Sequence, residues 1–252
     1  MVEVLVRRLT SVSELEDARL VCDSVWVNPS NGTEITSNLL RALQHSGGYV
    51  AAAYLAEAPK DPIGAVISFI GRHQDDSGGW HSHLHSHMTA VMPGARDLGI
   101  GTKLKLDQRA WALENQIDVI AWTFDPLVRR NLRINVLKLG IDVKSYYENF
   151  YGTMEDSQNA GDETDRIFAW WNLNSNKTLA AIAGNTKPLV ELPSDAVVIK
   201  VPDDIVSLRS QNPVAALRVR YHVRTEIQAA LDAGLELIGL DDADSYVFAR
   251  SK

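Results

Sequence analysis

The chain has 252 residues, 45% hydrophobic and 23% charged, with a formal net charge of −7. This length buries the core of one large domain or of a domain with an appended piece, and the composition is globular, not disordered. The acidic balance argues against a nucleic-acid surface, which needs a concentrated basic face, and points to a small-molecule partner. Arg129, Arg130 and Arg133 are a local exception that reads as a solvated helix face.

The single cysteine, Cys22, excludes an internal disulfide and reads as a buried thiol in a reducing compartment. The opening residues Met1 to Arg8 alternate like a strand and lack the basic-then-apolar order of a signal peptide. No apolar run approaches the roughly 18 residues that span a bilayer. A cytoplasmic protein with no membrane partner is expected.

Val2 to Leu9 is predicted as the first strand, and Ser13 to Trp26 as a helix behind a Ser13-x-x-Glu16 capping box, with Leu15, Ala18, Cys22 and Val25 on one face. Thr36 to His45 is a second helix, ended by Gly47-Gly48. Tyr49 to Ala56 reads as a strand, Pro59 to Pro62 as a turn, Ile63 to Ile70 as a strand and Gln74 to Gly79 as a polar break. His83 to Val91, Ile100 to Asn115 and Val119 to Phe124 form a strand, crossover helix, strand unit, whose strands pair in parallel or splay apart. Leu127 to Leu139 is helical with Gly140 as its C′ residue. Val143 to Tyr151 and Ile167 to Leu173 are strands separated by the polar loop Glu155 to Thr164. Asn172 to Thr186 reads as a linker. Beyond it come a strand at Val197 to Val201, a helix at Pro213 to Ala233 and a hairpin of Leu235 to Leu240 with Tyr246 to Arg250. The chain divides in this reading into 1–172 and a smaller α/β extension, 173–252, that packs on the first part or makes a homodimer contact.

Between a strand and a helix, Met92 to Gly101 form a glycine-bearing turn at a helix N-terminus. Unpaired N–H groups and the helix dipole stabilise an anion there. Gly99 and Gly101 let a diphosphate approach the backbone and let the chain adopt φ > 0. His81, His83, His85 and His87 alternate on the preceding strand and share one face. Three readings of them stand: hydrogen-bonded, half-exposed histidines; a general base kept neutral by burial; and a metal site. The last lacks a flanking thiol or carboxylate, so no metal is expected.

The string Arg96-x-x-Gly99-x-Gly101, preceded by Val91-Met92-Pro93, resembles the phosphate loop of the GNAT superfamily of acyl-CoA N-acyltransferases, and the order of predicted elements over residues 1 to about 172 matches that fold. The resemblance implies an α/β (α+β) fold with a mixed, splayed central sheet flanked by helices. It also implies acetyl-CoA or another acyl-CoA as cosubstrate, and direct attack by a primary amine. By resemblance, Ala90 and Val91 meet pantetheine and the acyl carbonyl, and Arg96, Leu98, Gly99, Ile100, Gly101 and Thr102 hold the diphosphate. His85, eleven residues before Arg96, stands where histone-acetylating members carry a glutamate base, with His87 the alternate. Asp97 and Val136 depart from the pattern: Asp97 replaces a common glycine, and Val136 a tyrosine that often protonates the leaving thiolate. Asn131, Asn135 and Lys138 share one helical face by i, i+4, i+7 spacing and face either the coenzyme or solvent.

The strings Leu84-His85-Ser86-His87-Met88, Trp122 to Leu127, Lys138-Leu139-Gly140 and Asn149 to Gly152 resemble a bacterial group of GNAT acyltransferases with a C-terminal extension, linked to N-acylation, including N-succinylation, of amino acids. Trp122, Phe124 and Asp125 then line the acceptor pocket, or else serve as core packing and a helix cap. The expected activity is acyl transfer to a small primary amine. The alternative is a non-catalytic acyl-CoA-binding or regulatory module.

Overall fold

The computed structural model describes residues 3–27, 32–75, 77–96, 98–154, 156, 158–159 and 162–250, which fall into two compact units, Met1–Trp122 and Thr123–Lys252. In the first unit, β1 (Val4–Arg8) leads to α1 (Val12–Val25) and α2 (Ser37–His45). The α1 cap is not the expected pair. Ser11 accepts from the Glu14 amide and Glu14 accepts from the Ser11 amide, whereas Glu16 takes Arg19 and Ser37. Two overlapping Ser-x-x-Glu signatures compete, and the earlier one captures the helix start while still burying Leu15, Ala18, Val21 and Cys22 on one side. Burial pushes the Cys22 thiol up to about 12, so it packs as a small apolar group.

β2 (Tyr49–Leu55), β3 (Ala58–Gln74), β4 (Trp80–Val91) and β5 (Val119–Phe124) complete this unit's sheet in the order β1-β2-β3-β4-β5. Pro59 to Pro62 belong to β3 and not to a turn, which lies at Ala56 and Glu57. The reason is local: the last β3–β4 pair is Gly64 with Val91, so the prolines lie beyond β4 and owe no N–H to a second neighbour. β1 to β4 are antiparallel, and β4 and β5 run parallel. The sheet is therefore mixed.

α1 and α2 cover one face through a core of Leu15, Ala18, Val21, Leu40, Val50, Ile67, Met88 and Ala90. α3 (Ile100–Glu114) covers the other. A side chain at Gly64 would collide with Ile100 Cγ2 at 2.7 Å, so this glycine permits the close packing of β3 and α3.

In the second unit, α4 (Arg129–Leu132) continues as a π-helix over Arg133–Leu139 and ends on Gly140, whose φ is 69°. β6 (Asp142–Tyr147) and β7 (Arg166–Asn172) pair antiparallel; β7 buries Ile167, Ala169 and Trp171 completely. The expected linker contains α5 (Asn176–Ile182), because Ser175 accepts from the Thr178 amide and so caps a helix start. β8 (Val197–Ile199), β10 (Tyr246–Ala249) and β9 (Glu236–Leu240) make a three-stranded sheet in that order. α6 (Ile205–Gln211), unforeseen in the sequence, and α7 (Pro213–Asp232) precede β9. No helix among the described residues is long and apolar enough to cross a membrane.

Candidate functional site

The turn before α3 has the geometry its glycines suggested. Pro93–Ala95 form one 3-10 turn, Arg96 is extended, and Gly99 stands at the N-cap with φ 72°, a conformation that favours glycine. Among the described residues no side chain caps the helix. Lys103 N–H closes the first intrahelical bond, to Gly99, and among the described residues nothing accepts from the amides of Ile100, Gly101 or Thr102. A Cβ on Gly99 would meet nothing within 4 Å, and one on Gly101 only Val91 Cγ2 at 4.0 Å. Packing therefore does not explain the absence of a side chain at 101. What remains, among the described residues, is a turn of unspent N–H donors at the positive end of a fifteen-residue helix, where an anion such as a diphosphate is favoured. Leu98 is 40% exposed beside it; Asp97 lies outside the described residues.

β4 enters this turn through an irregularity. Met88 pairs with Ile67 and Ser86 with Ser68, so His87 is an extra residue opposite β3. The bulge reverses the alternation. Ser86 faces α3, where it meets Lys105 and Gln108, while Met88 and Ala90 join the α1–α2 core. The parallel β4–β5 ladder holds only Leu84 with Ile120 and His85 with Ala121; among the described residues Ser86 to Val91 have no pair on the β5 side. Met92 N–H donates to Ile63 of β3. By alternation, the Val91 amide turns toward the open side and the Ala90 amide toward β3.

The histidines share the face opposite α3. Ring centroids run His83 to His85 to His87 at 6.3 Å steps, and Phe69 lies 4.9 Å from His85 and 5.9 Å from His87. His73 adds to the row, its Nδ1 lying 3.2 Å from His83 Nδ1, and His81 bonds Asp75 at 2.8 Å. Burial, helped by His87, His83 and Lys105, pushes His85 down to about 4. Burial alone lowers His87. Both imidazoles are neutral at physiological pH and have nitrogen lone pairs to offer. No group of three or more His, Cys, Asp or Glu among the described residues is arranged to hold a metal ion.

Lys105, which the sequence reading passed over, is 5% exposed on α3. Its Nζ donates to Ser86 Oγ at 2.7 Å and sits 3.8 Å from the centre of the Trp122 ring. Burial lowers it to about 7. Gln108 donates to Ser86 at 3.0 Å and also to Ser68. The available signal was register: Ile100, Leu104, Gln108 and Ala112 form the buried stripe of α3, and Lys105 lies beside Leu104 within it.

Trp122 faces α3 and is 6% exposed, as is Phe124. Asp125 is spoken for: it accepts from the Leu127 amide at 2.9 Å and from Arg209 and Arg220. Asp162 joins the same arginines at 2.6 and 2.8 Å. Burial pushes the Asp125 carboxyl up, but Arg220 and Arg209 outweigh it and hold it at about 2. On the π-helix, Asn135 is buried and Lys138 exposed, so Asn131, Asn135 and Lys138 do not form the single stripe that α-helical spacing suggested. The wider π turn, bonded i to i+5, rotates the later residue away.

No family model and no curated protein matches the chain. Among solved structures, the NatC complex bound to Gag peptide and CoA is similar over 68% of this chain and 98% of its own, at 15% identity and a TM-score of 0.51. A GNAT family acetyltransferase from Streptococcus pneumoniae is similar over 67% of this chain and 98% of its own, at 14% identity and a TM-score of 0.48. One from Elizabethkingia anophelis with acetyl-CoA bound is similar over 67% and 97%, at 15% identity and 0.47. With a mixed sheet, helices on both of its faces and this likeness, the chain has the fold of the GNAT acetyltransferases.

Proposed function

We propose that the protein is a CoA-dependent N-acyltransferase that moves an acetyl or other short acyl group, such as succinyl, to the primary amine of a small molecule. The observation that carries this reading is the open turn at 98–102: a left-handed Gly99, empty space beside Gly99 and Gly101, and three helix amides with no acceptor among the described residues. In this reading those amides, with Arg96 and the Thr102 hydroxyl, hold the coenzyme's diphosphate. Asn131, Asn135 and Lys138 are kept as further coenzyme contacts, each on its own merits. The unpaired edge of β4 receives pantetheine, and the Val91 amide donates to the thioester carbonyl.

Holding amine and thioester in attack geometry supplies most of the acceleration, with effective molarities of about 10⁵ M and above. No covalent enzyme intermediate is needed. The amine loses its proton to His85 or His87, directly or through water, because both imidazoles are neutral and stand on β4, the strand that ends at Val91.

Calorimetry with CoA and acetyl-CoA, followed by thiol release with a panel of amines, tests the proposal. Binding together with amine-dependent thiol release supports it, and no association with any CoA species overturns it. A second reading, an acyl-CoA-binding module without turnover, draws on the low basicity of His85 and on Val136 at the expected tyrosine position. It predicts affinity with no thiol release for any amine, protein N-termini included.

A further inference from the structure

At one end of the sheet β3 and β4 have only each other. β2 leaves β3 at Ser68 and β5 joins β4 at Leu84, so among the described residues 69–74 and 80–83 pair with no third strand. A two-stranded ribbon is marginal in water. Gly71, His73, His81 and His83 share one face of it, with Gly71 opposite His83 and His73 opposite His81. The missing side chain at 71 lets the His83 ring lie across β3, since a Cβ there would stand 2.5 Å from His83 Nε2. Laid over this glycine, His83 brings its Nδ1 to 3.2 Å from His73 Nδ1. Two imidazole nitrogens on one tetrahedral zinc ion, each about 2.05 Å from it, stand about 3.3 Å apart, with ring centres about 5.2 Å apart. The centres of His73 and His83 are 5.3 Å apart and those of His73 and His81 5.8 Å, whereas the steps farther along the row are 6.3 Å. Burial lowers both His73 and His83, so each has a lone pair to offer at neutral pH.

We propose that His73 and His83 hold one divalent metal ion of the zinc class through their Nδ1 atoms, with His81 as third ligand and Asp75 orienting it. The ion takes the place of the proton between the two Nδ1 atoms, and the ring that donates in that pair shifts its proton to Nε2 through solvent. His81 Nε2 and Asp75 Oδ2 lie 2.8 Å apart, which leaves His81 Nδ1 as the acceptor, in the order carboxylate, histidine, metal. Asp75 is itself fixed, accepting from the Ser77 amide and hydroxyl and from the Gly79 amide. Before the ion arrives the three rings do not converge on one point. His81, with 56% of its side chain exposed, moves in to close the set, and that exposure gives the ion its path. The row in the sequence lacks a flanking carboxylate; the hairpin turn brings one to its end. Imidazoles suit zinc, copper, nickel and iron, and the tetrahedral bite favours zinc. Arg72 adds no charge on this side, because it lies over the Trp80 ring on the other face. The bound ion ties the two strands of the ribbon together, two residues from His85. The site does not depend on the acyltransferase reading above.

Zinc chloride titrated calorimetrically into the tag-free full chain at neutral pH tests this, with Co²⁺ absorption as the second readout. One ion per chain and the intense visible bands of a low-coordinate Co²⁺ site are expected. Asp75→Asn removes only the orienting partner and should weaken Zn²⁺ binding roughly 10- to 100-fold. His73→Ala and His83→Ala each remove a ligand and should cost more. Gly71→Ala is the sharper variant, because it removes no ligand: its methyl displaces the His83 ring, and affinity should fall about 10-fold or more. The ring can move aside, so this variant keeps the test decisive if His83→Ala does not fold. His85→Ala, one 6.3 Å step along the row, should leave Zn²⁺ affinity unchanged. No association of Zn²⁺ or Co²⁺ with the unaltered chain overturns the site. So does a loss in His85→Ala as large as in His73→Ala, or an affinity unchanged in both His73→Ala and Gly71→Ala.

Discussion

Replacing Gly101 by alanine separates what the turn does for the fold from what it does for a ligand. Gly101 is the second residue of α3, and its missing Cβ would meet only Val91 Cγ2, at the ordinary contact distance of 4.0 Å. Alanine loses less backbone freedom than glycine on entering a helix, so Gly101→Ala should stabilise the protein by about 0.5–1 kcal/mol. For a chain of this size that is a rise of about 2–4 °C in Tm at most. If a diphosphate lies against this backbone, the added methyl displaces it from at least one amide. A hydrogen bond to a charged group is worth about 1.5–3 kcal/mol, which is roughly 10- to 100-fold in Kd. The two effects have opposite signs, so a misfolded variant cannot mimic the expected result. Thermal denaturation and CoA calorimetry on one preparation measure both. An unaltered Kd, with Tm preserved, would refute the claim that the open face of this turn is the coenzyme's seat.

Other outcomes follow from the same geometry. His85→Ala should lower the acyl-transfer rate about 100-fold with CoA affinity retained. With the imidazole near 4, the acid limb of kcat/KM should fall close to pH 4, and a limb at the usual histidine value of 6.5 would contradict its burial. Asp125 is depressed on folding from 3.8 to about 2, so its contribution of about 2 kcal/mol is present above pH 4 and lost as pH falls through 2; urea titrations across that window measure it. Asp125→Asn, which leaves Arg209 and Arg220 short of a charge partner, should cost about 3–5 kcal/mol at pH 7. Ser11→Ala should cost about 1 kcal/mol through the lost cap, while Ser13→Ala stays within about 0.5 kcal/mol; equal effects on the urea midpoint would contradict the cap assignment.

What the amino-acid order determined alone is what short-range chemistry controls. Gly99 and Gly140 both take the left-handed conformation at the helix ends where they were expected, because one residue's steric freedom settles the matter. Strand alternation and the α3 span were legible for the same reason. Tertiary packing decided the rest. An extra residue at His87 shows itself only against β3, yet it decides that Ser86 meets α3 and that Met88 does not. The π-winding that separates Asn135 from Lys138 is likewise invisible in an i, i+4, i+7 pattern. Charged residues at buried helix positions give up their partners only when the chain is folded: Lys105 finds Ser86 across 19 residues and Arg220 finds Asp125 across 95. Separation of that kind carries no local signature, since the energy that makes a buried charge tolerable comes from groups that folding alone brings within reach.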